Sequence, residues 1–175
     1  KENLGDKLTK REYADVREAI LKQEVMPSMR AMQFSGGPAR KCNTCFYNCS
    51  FTAPVKLEDF AEIMYLSMQG TGVGFSVESQ NIEQLPQIQK QIGEKLPTHI
   101  VTDSKEGWCD ALTLGLSTWY AGKDIDFDLS LVRPAGSRLK TMGGKSSGPE
   151  PLRSLLTFAR ERILKRQGRR LRTVD

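Results

Sequence analysis

The sequence predicts an α/β protein, because strand-like segments alternate along it with segments of helical periodicity. Polar and apolar residues alternate over 47–53, as in a strand, and apolar residues then recur every three or four positions over 57–68, as in a helix. A second strand is predicted over 73–78. Parallel strands need a helical crossover between them, so this order favours a parallel α/β sheet or half-barrel.

A helix is predicted near the start of the chain, over about residues 10–24. Thr9 and Glu12 form the capping-box pattern that begins helices, and apolar residues follow them at helical spacing. We expect Pro27 to end this helix and a turn-rich connection over 35–38 to lead into the first strand.

The second half of the chain repeats the alternation of strand and helix. The β-branched run 99–102 predicts a strand, and Ser104 is a suitable N-cap for a helix that continues to Gly122. Residues 127–132 predict another strand. An amphipathic helix is predicted after Pro151.

The composition is that of a folded protein. Apolar residues make up 38% and charged residues 27% of the 175 positions, which is enough apolar material for a core. No apolar run approaches the roughly 20 residues that span a bilayer, and the first residues lack the apolar stretch of a signal peptide. We therefore expect a cytoplasmic protein with no membrane partner.

The net charge of +5 is concentrated near the C-terminal end of the sequence. Residues 153–175 contain eight basic and two acidic residues, a net charge of +6, and residues 1–152 carry the remaining −1. Such a segment either contacts nucleic acid or phosphate or forms a solvated helix face. Because Phe158 is the only aromatic residue within 150–175, base stacking has little support and no direct contact with nucleic acid is expected.

The four cysteines are Cys42, Cys45, Cys49 and Cys109. A chain without a secretion signal is not expected to rely on structural disulfides. The spacing of Cys42, Cys45 and Cys49 is compatible with a zinc or iron–sulfur site, but the fourth ligand is missing nearby, and no metal site is predicted. Buried apolar cysteine is a second alternative. We favour redox chemistry at Cys49, which lies on a predicted strand.

Two glycine-rich segments are candidates for ligand contact. Gly70–Gly74 follows a helix and precedes a strand, the reverse of a dinucleotide-binding fingerprint, so its glycines are expected to permit a tight turn or close approach of a ligand. The glycines and cations of 133–150 suit phosphate or nucleotide contact. A plain turn and a merely mobile loop are the respective alternatives.

Three stretches, in this order, resemble the catalytic subunit of ribonucleotide reductases in the form shared by adenosylcobalamin-dependent enzymes. They are Met26-Pro-Ser-Met-Arg-Ala-Met32 leading to Tyr47-Asn-Cys-Ser50, then Gly70-Thr-Gly-Val-Gly-Phe-Ser-Val-Glu78, then Val132-Arg-Pro-Ala-Gly-Ser-Arg-Leu-Lys-Thr-Met-Gly-Gly-Lys-Ser-Ser-Gly-Pro-Glu-Pro-Leu152. The resemblance implies a helical segment over 1–25 and, over 26–175, the first half of a ten-stranded α/β barrel. It places the radical cysteine and the cobalamin contacts after residue 175, so the chain alone is not expected to be active.

The resemblance also implies a role for each motif. Cys49 would be one half of the cysteine pair that reduces the ribose 2′-carbon, with its partner beyond residue 175. Substrate-binding positions would be Ser28, Ser50, Gly72 and Gly74. The segment 133–148 resembles the specificity loop, which relays the identity of a bound deoxynucleotide effector. The implied specificity and effector residues are Asp103, Arg133, Arg138, Lys140, Gly143 and Gly144.

The implied activity is reduction of ribonucleotides, with triphosphates favoured, to 2′-deoxyribonucleotides by thiyl-radical chemistry. The implied cofactor is adenosylcobalamin, and the implied partners are a ribonucleotide substrate, a deoxynucleotide effector, a thioredoxin-like or dithiol reductant and the remaining half of the reductase. Two alternatives are a non-catalytic nucleotide-binding fragment and a nucleic-acid-binding protein that uses the basic C-terminal segment. Cys42, Cys45 and Cys109 receive no role.

Overall fold

The computed structural model describes residues 7–139 and 143–175 and divides into two compact units, Lys1–Asn48 and Cys49–Asp175. The elements, in chain order, are α1 Lys10–Leu21, α2 Met29–Phe34, α3 Gly37–Lys41, a 3₁₀ turn Asn43–Phe46, β1 Cys49–Thr52, α4 Glu58–Met68, β2 Gly72–Phe75, α5 Ser79–Ile82, β3 His99–Ile100, α6 Lys105–Tyr120, β4 Phe127–Asp128 and α7 Glu150–Leu164. No helix in the described ranges has both the length and the apolar surface that crossing a lipid bilayer requires.

Helix α1 of the first unit begins as predicted and ends early. Thr9 Oγ1 accepts a hydrogen bond from Glu12 N at 3.2 Å, and Glu12 Oε2 accepts one from Thr9 N at 2.7 Å, which completes the capping box. The helix ends at Leu21 rather than at residue 24, because Gln23 takes a positive φ of 62° that no helical turn accommodates. Pro27 therefore does not terminate it.

The connection between α1 and β1 contains short helices that the sequence analysis missed. Helix α2 lies where no element was predicted, and Ser28 caps it by accepting from Ala31 N at 3.1 Å. A turn is predicted over 35–38, but only residues 35 and 36 form it, because Gly37 and Pro38 already belong to α3. Proline fits there because the first residues of a helix have no intrahelical acceptor for their N–H groups.

The α/β prediction is confirmed by two parallel strand pairs in the second unit, each with a helix between its strands. Strand β1 pairs with β2 across α4, and β3 pairs with β4 across α6. The strands are shorter than predicted: β4 stops at Asp128 instead of residue 132, since Asp128 Oδ1 accepts from Ser130 N at 2.8 Å and closes a turn. Each described sheet has two strands, so the ten-stranded barrel stays a prediction.

The main core lies around α6 in the second unit. Ser104 caps this helix as predicted, accepting from Gly107 N at 2.9 Å, and Trp119 near its end is only 1% exposed. Trp119 makes an edge contact with Phe127 of β4, with ring centroids 6.2 Å apart. The buried apolar residues of this core are Ile88, Val101, Ala111, Leu112, Leu116, Trp119, Tyr120, Ile125, Leu129, Val132, Leu152, Leu156 and Ile163.

The basic C-terminal segment is largely tied into the second unit. Arg160 of α7 makes two hydrogen bonds to Asp124, at 2.9 and 2.6 Å, which hold the pKa of this carboxyl below its usual range. Arg166 and Arg172 both form ion pairs with Asp175, while Arg170 donates to main-chain carbonyls in the segment before β3. The segment is therefore more than a solvated helix face, because several of its cations hold neighbouring parts of the chain together.

We predict that Gly115→Ala destabilises the second unit. A Cβ at position 115 would lie 2.7 Å from Trp119 Cη2 and 3.2 Å from Phe127 Cζ, so the ring packing must shift. Overpacking of this kind lowers the free energy of unfolding by about 1–3 kcal/mol. Ser117→Ala, on the exposed side of the same helix, is the control and should change it by less than about 0.5 kcal/mol in the same denaturant titration. Equal effects of the two changes would contradict the packing argument.

Candidate functional site

Strands β1 and β2 present an open face that carries a thiol, an aromatic ring and bare backbone. The register pairs Cys49 with Gly72 and Phe51 with Gly74. Side chains alternate between the two faces of a strand, and paired residues share a face, so all four residues lie on the same side. Cys49 is exposed and Phe51 is 71% exposed. The two glycines keep β2 free of side chains beside the thiol and the ring.

The opposite face of β1 is closed. Ser50 and Thr52 alternate with Cys49 and Phe51 and are half-buried. The Ser50 hydroxyl is enclosed and has no hydrogen-bond partner in the described structure. The structure thus brings Cys49, Gly72 and Gly74 together and places Ser50 behind them.

Helix α4, which connects the two strands, is fixed at both ends. Asp59 is buried and its Oδ2 accepts from Val55 N at 2.8 Å and from Lys56 N at 3.1 Å, which fastens the start of the helix. At the other end Gly70 takes a positive φ of 84°, in keeping with the tight turn expected over Gly70–Gly74, and this turn ends the helix. The glycines of 70–74 serve the turn and the open strand, and no helix N-terminus follows them directly.

Ser28, the remaining predicted substrate contact, belongs to the first unit. Its hydroxyl oxygen accepts from Ala31 N at 3.1 Å and so caps α2. The side chain is exposed. Its role toward a substrate stays a prediction.

The predicted specificity loop is a hairpin in its described part. Gly136 N donates to Ser146 O at 2.8 Å, Ser146 N to Ser137 O at 2.7 Å, and Leu139 N to Gly144 O at 3.0 Å. Arg138 and Lys145 face each other across this antiparallel pairing and are exposed. Main-chain hydrogen bonds therefore order this part of the segment, although no described residue between Asp128 and Glu150 belongs to a helix or strand. Lys140 lies outside the described residues.

This hairpin is uncrowded toward its tip and is tied to another part of the chain at its base. Toward the tip, Gly143 and Gly144 take positive φ angles of 72° and 86°, and a Cβ on either would meet nothing within 4 Å. At the base, Arg133 Nε donates to Asp103 Oδ2 at 2.7 Å. Two residues predicted separately, Asp103 and Arg133, are thus brought into contact.

The other three cysteines occupy more closed surroundings than Cys49. Cys45 is fully buried and Cys42 is half-buried. Burial, reinforced by the nearby carboxylates of Asp110 and Glu106, raises the pKa of the Cys109 thiol to about 11. Within residues 7–139 and 143–175, no group of three His, Cys, Asp or Glu side chains is close enough to hold a metal ion.

Phe51 is the residue of the open face that the sequence analysis did not single out. Its ring approaches strand β2: a Cβ at Gly74 would lie 3.6 Å from Phe51 Cδ2. The signal was present in the sequence, since Phe51 follows Cys49 by two positions in a predicted strand and must share its face.

Comparison with known proteins points to one group of enzymes. No protein-family model matches the chain. The chain is 31% identical over 166 residues to the adenosylcobalamin-dependent ribonucleoside-triphosphate reductase of Euglena gracilis, covering 89% of the chain and 22% of the relative. It is 30% identical over 143 residues to the enzyme of that name from Lactobacillus leichmannii, covering 62% of the chain and 19% of the relative.

A solved structure agrees with these relatives. The crystal structure of a B12-dependent (class II) ribonucleotide reductase matches 98% of the chain and 33% of its own chain, with a TM-score of 0.76 and 26% sequence identity. The chain therefore spans about a fifth of the length of the two curated relatives and a third of the solved one.

We predict that the Cys49 and Cys109 thiols differ in reactivity. At about pH 8, iodoacetamide should modify Cys49 at least about tenfold faster than Cys109, because only the thiolate reacts and a buried thiol of raised pKa is almost fully protonated. Deprotonation increases with pH, so the Cys109 rate should rise about tenfold per pH unit up to its pKa. Peptide mass spectrometry measures each site, and the denatured chain is the control in which the rates converge. Equal rates in the native chain would contradict the exposure argument.

Proposed function

We propose that this chain, which is homologous to part of the adenosylcobalamin-dependent ribonucleotide reductases, forms one wall of the substrate site of such an enzyme. The complete enzyme would convert ribonucleoside triphosphates to 2′-deoxyribonucleoside triphosphates. The observation that supports this proposal most is the parallel register of Cys49 with Gly72, which leaves a thiol exposed beside side-chain-free backbone.

The reaction needs two thiols. Loss of the ribose 2′-hydroxyl as water, with hydrogen replacing it, takes up two electrons and two protons, and two thiols supply them while a disulfide forms between their sulfur atoms. We assign one of these thiols to Cys49 and the second to another part of the enzyme. Adenosylcobalamin would supply the radical that activates the ribose 3′-position, and we assign its contacts to residues outside this chain.

The open face suits this role physically. The rate of thiol–disulfide exchange depends on access to the thiol as well as on its ionisation, and Cys49 is the exposed cysteine of β1. Glycines at 72 and 74 allow a sugar to approach the strand closely, because no side chain stands between it and the backbone. Ser28 and Ser50 stay proposed contacts of the phosphate or ribose.

We further propose that the hairpin relays effector identity. Its exposed cations suit phosphate or base edges, and its tip glycines permit more than one backbone conformation. The residues assigned to this specificity element are Asp103, Arg133, Arg138, Lys140, Gly143 and Gly144.

The proposed surroundings of the chain follow from its homologues. We propose that β1 to β4 belong to a ten-stranded barrel, with residues 26–175 in the barrel and a helical segment over 1–25 before it. The partners would be the rest of the reductase, a ribonucleotide, a deoxynucleotide effector and a dithiol reductant.

A nucleic-acid interface on the basic C-terminal segment is the weaker alternative. Arg160, Arg166 and Arg172 form ion pairs with carboxylates within the second unit. Cations that already pair with Asp124 or Asp175 are less available to phosphates, since exchanging one hydrogen-bond partner for another gains little free energy.

The proposed function can be tested in a chimera. The segment of the Euglena gracilis reductase that matches this chain is replaced by the chain, and deoxynucleotide formation is measured with adenosylcobalamin and dithiothreitol. We expect turnover with the natural sequence and loss of multiple turnovers with Cys49→Ser, because one reducing thiol is then missing. Cys42→Ser, at a half-buried cysteine, is the matched control and should retain turnover.

Folding of each chimera is checked by its thermal unfolding and by adenosylcobalamin binding. A folded, cofactor-binding chimera without activity would contradict the proposed function. Equal loss of turnover at Cys49 and Cys42 would contradict the assignment of the reducing thiol.

We predict that Arg138→Ala changes selectivity more than stability. In the active chimera, the substitution should reduce the preference that each effector deoxynucleotide gives to its matched substrate, because it removes an exposed cation of the hairpin. Exposed substitutions of this kind change the free energy of unfolding by less than about 0.5 kcal/mol. Substrate preference is measured across the effectors, with Arg17→Ala on the exposed surface of α1 as control. Unchanged preference with much easier unfolding would make the hairpin a structural clamp.

A further inference from the structure

We propose that Asp103 and Arg133 are positioning residues that anchor the base of the hairpin formed by residues 136–139 and 144–146 to the start of helix α6. The anchor itself is an inference from geometry. Its consequence for selectivity rests on the proposed function.

Asp103 engages Arg133 at two places. Its Oδ2 accepts from Arg133 Nε at 2.7 Å, and its Oδ1 accepts from Arg133 N at 3.3 Å. Because one carboxylate bonds the side chain and the main chain of the same residue, it fixes the direction of the chain as well as its distance. The two side chains are 34% and 31% exposed, so the pair is partly shielded from water. Each carboxylate oxygen of Asp103 thus accepts one hydrogen bond from Arg133.

The returning strand of the hairpin is packed against the outgoing one. Gly148 is buried with a positive φ of 77°, and a Cβ there would lie 2.9 Å from Ala135 N. Its own N–H donates to Ser146 Oγ at 3.0 Å. The segments that enter and leave the hairpin are therefore in close contact at its base. Within the hairpin, in contrast, a Cβ on Gly136, Gly143 or Gly144 would meet nothing within 4 Å.

Helix α6 gives the anchor a firm base. Asp103 immediately precedes Ser104, the N-cap of this helix. Gly107, in its first turn, packs so closely that a Cβ would overlap the Thr102 side chain and lie 2.7 Å from its carbonyl oxygen. The same helix carries Trp119 and much of the main core. We therefore expect a change in the hairpin to reach the core through Asp103, and loss of the anchor to interrupt this connection.

The anchor is tested in the isolated chain by amide hydrogen exchange, which requires no nucleotide. In Asp103→Asn, exchange should accelerate at Arg133 and at the hydrogen-bonded hairpin amides of Gly136, Leu139 and Ser146. The expected change is up to about fivefold, the factor that corresponds to about 1 kcal/mol for a partly exposed ion pair. Amides in the middle of α6, such as Leu116, should not change.

The matched control removes a different ion pair of similar exposure. Lys123 and Glu94 lie 2.7 Å apart with side chains 34% and 48% exposed, so Glu94→Gln should leave hairpin exchange unaltered. The exchanged pair Asp103→Arg with Arg133→Asp should return part of the protection, because it restores the attraction between side chains. Unchanged hairpin exchange in Asp103→Asn, or equal acceleration throughout the second unit, would overturn the proposal.

Function is read separately in the chimera. Asp103→Asn should retain effector affinity, measured as Kd, and lose selectivity. A loss of affinity that matches the loss of selectivity would show that Asp103 touches the effector and would overturn the positioning role. A chimera inactive with every sequence would instead contradict the proposed function, and the exchange measurements would still decide whether the anchor exists.

Discussion

The parallel pairing of β1 with β2 is the constraint on which the proposed site depends. Strands that run in the same direction need a crossover, and α4 supplies it between the Asp59 cap and the Gly70 turn. Because side chains alternate between faces, a slip of one residue would put Ser50 on the open face and bury Cys49. The exposure of the thiol is therefore a consequence of register, which the ends of α4 help to fix.

The second strand pair depends on α6 in a comparable way. Gly115 allows the Trp119 ring to lie against the helix and to reach Phe127 of β4. The Asp124–Arg160 pair then ties α7 to the segment just before β4. Several cations in the most basic part of the sequence thus form internal ion pairs. The net charge of this segment therefore exceeds the charge that is available to bind a partner.

Much of the fold could be predicted because its signals are local. A capping box, an N-cap serine and a stop glycine act on residues within one or two turns, and Thr9, Ser104 and Gly70 all behave as predicted. The predictions fail where tertiary contacts, or turns closed by a side chain, determine where an element begins or ends. Short helices over 29–41 carry too few residues for a periodic pattern, and the Asp128 turn ends β4 before its apolar run does.

The candidate site could be predicted less completely than the fold. A resemblance identifies site residues one at a time, whereas the chemistry of each residue depends on the partners that the fold gives it. Ser50 is adjacent to Cys49 in sequence and lies on the opposite face. Asp103 and Arg133 are 30 residues apart, and no local pattern in the sequence predicts their contact. A carboxylate that bonds both the guanidinium and the main chain of one arginine fixes where that arginine lies in the fold. The partner that Asp103 holds in the fold is thus a better guide to its role than its place in a motif.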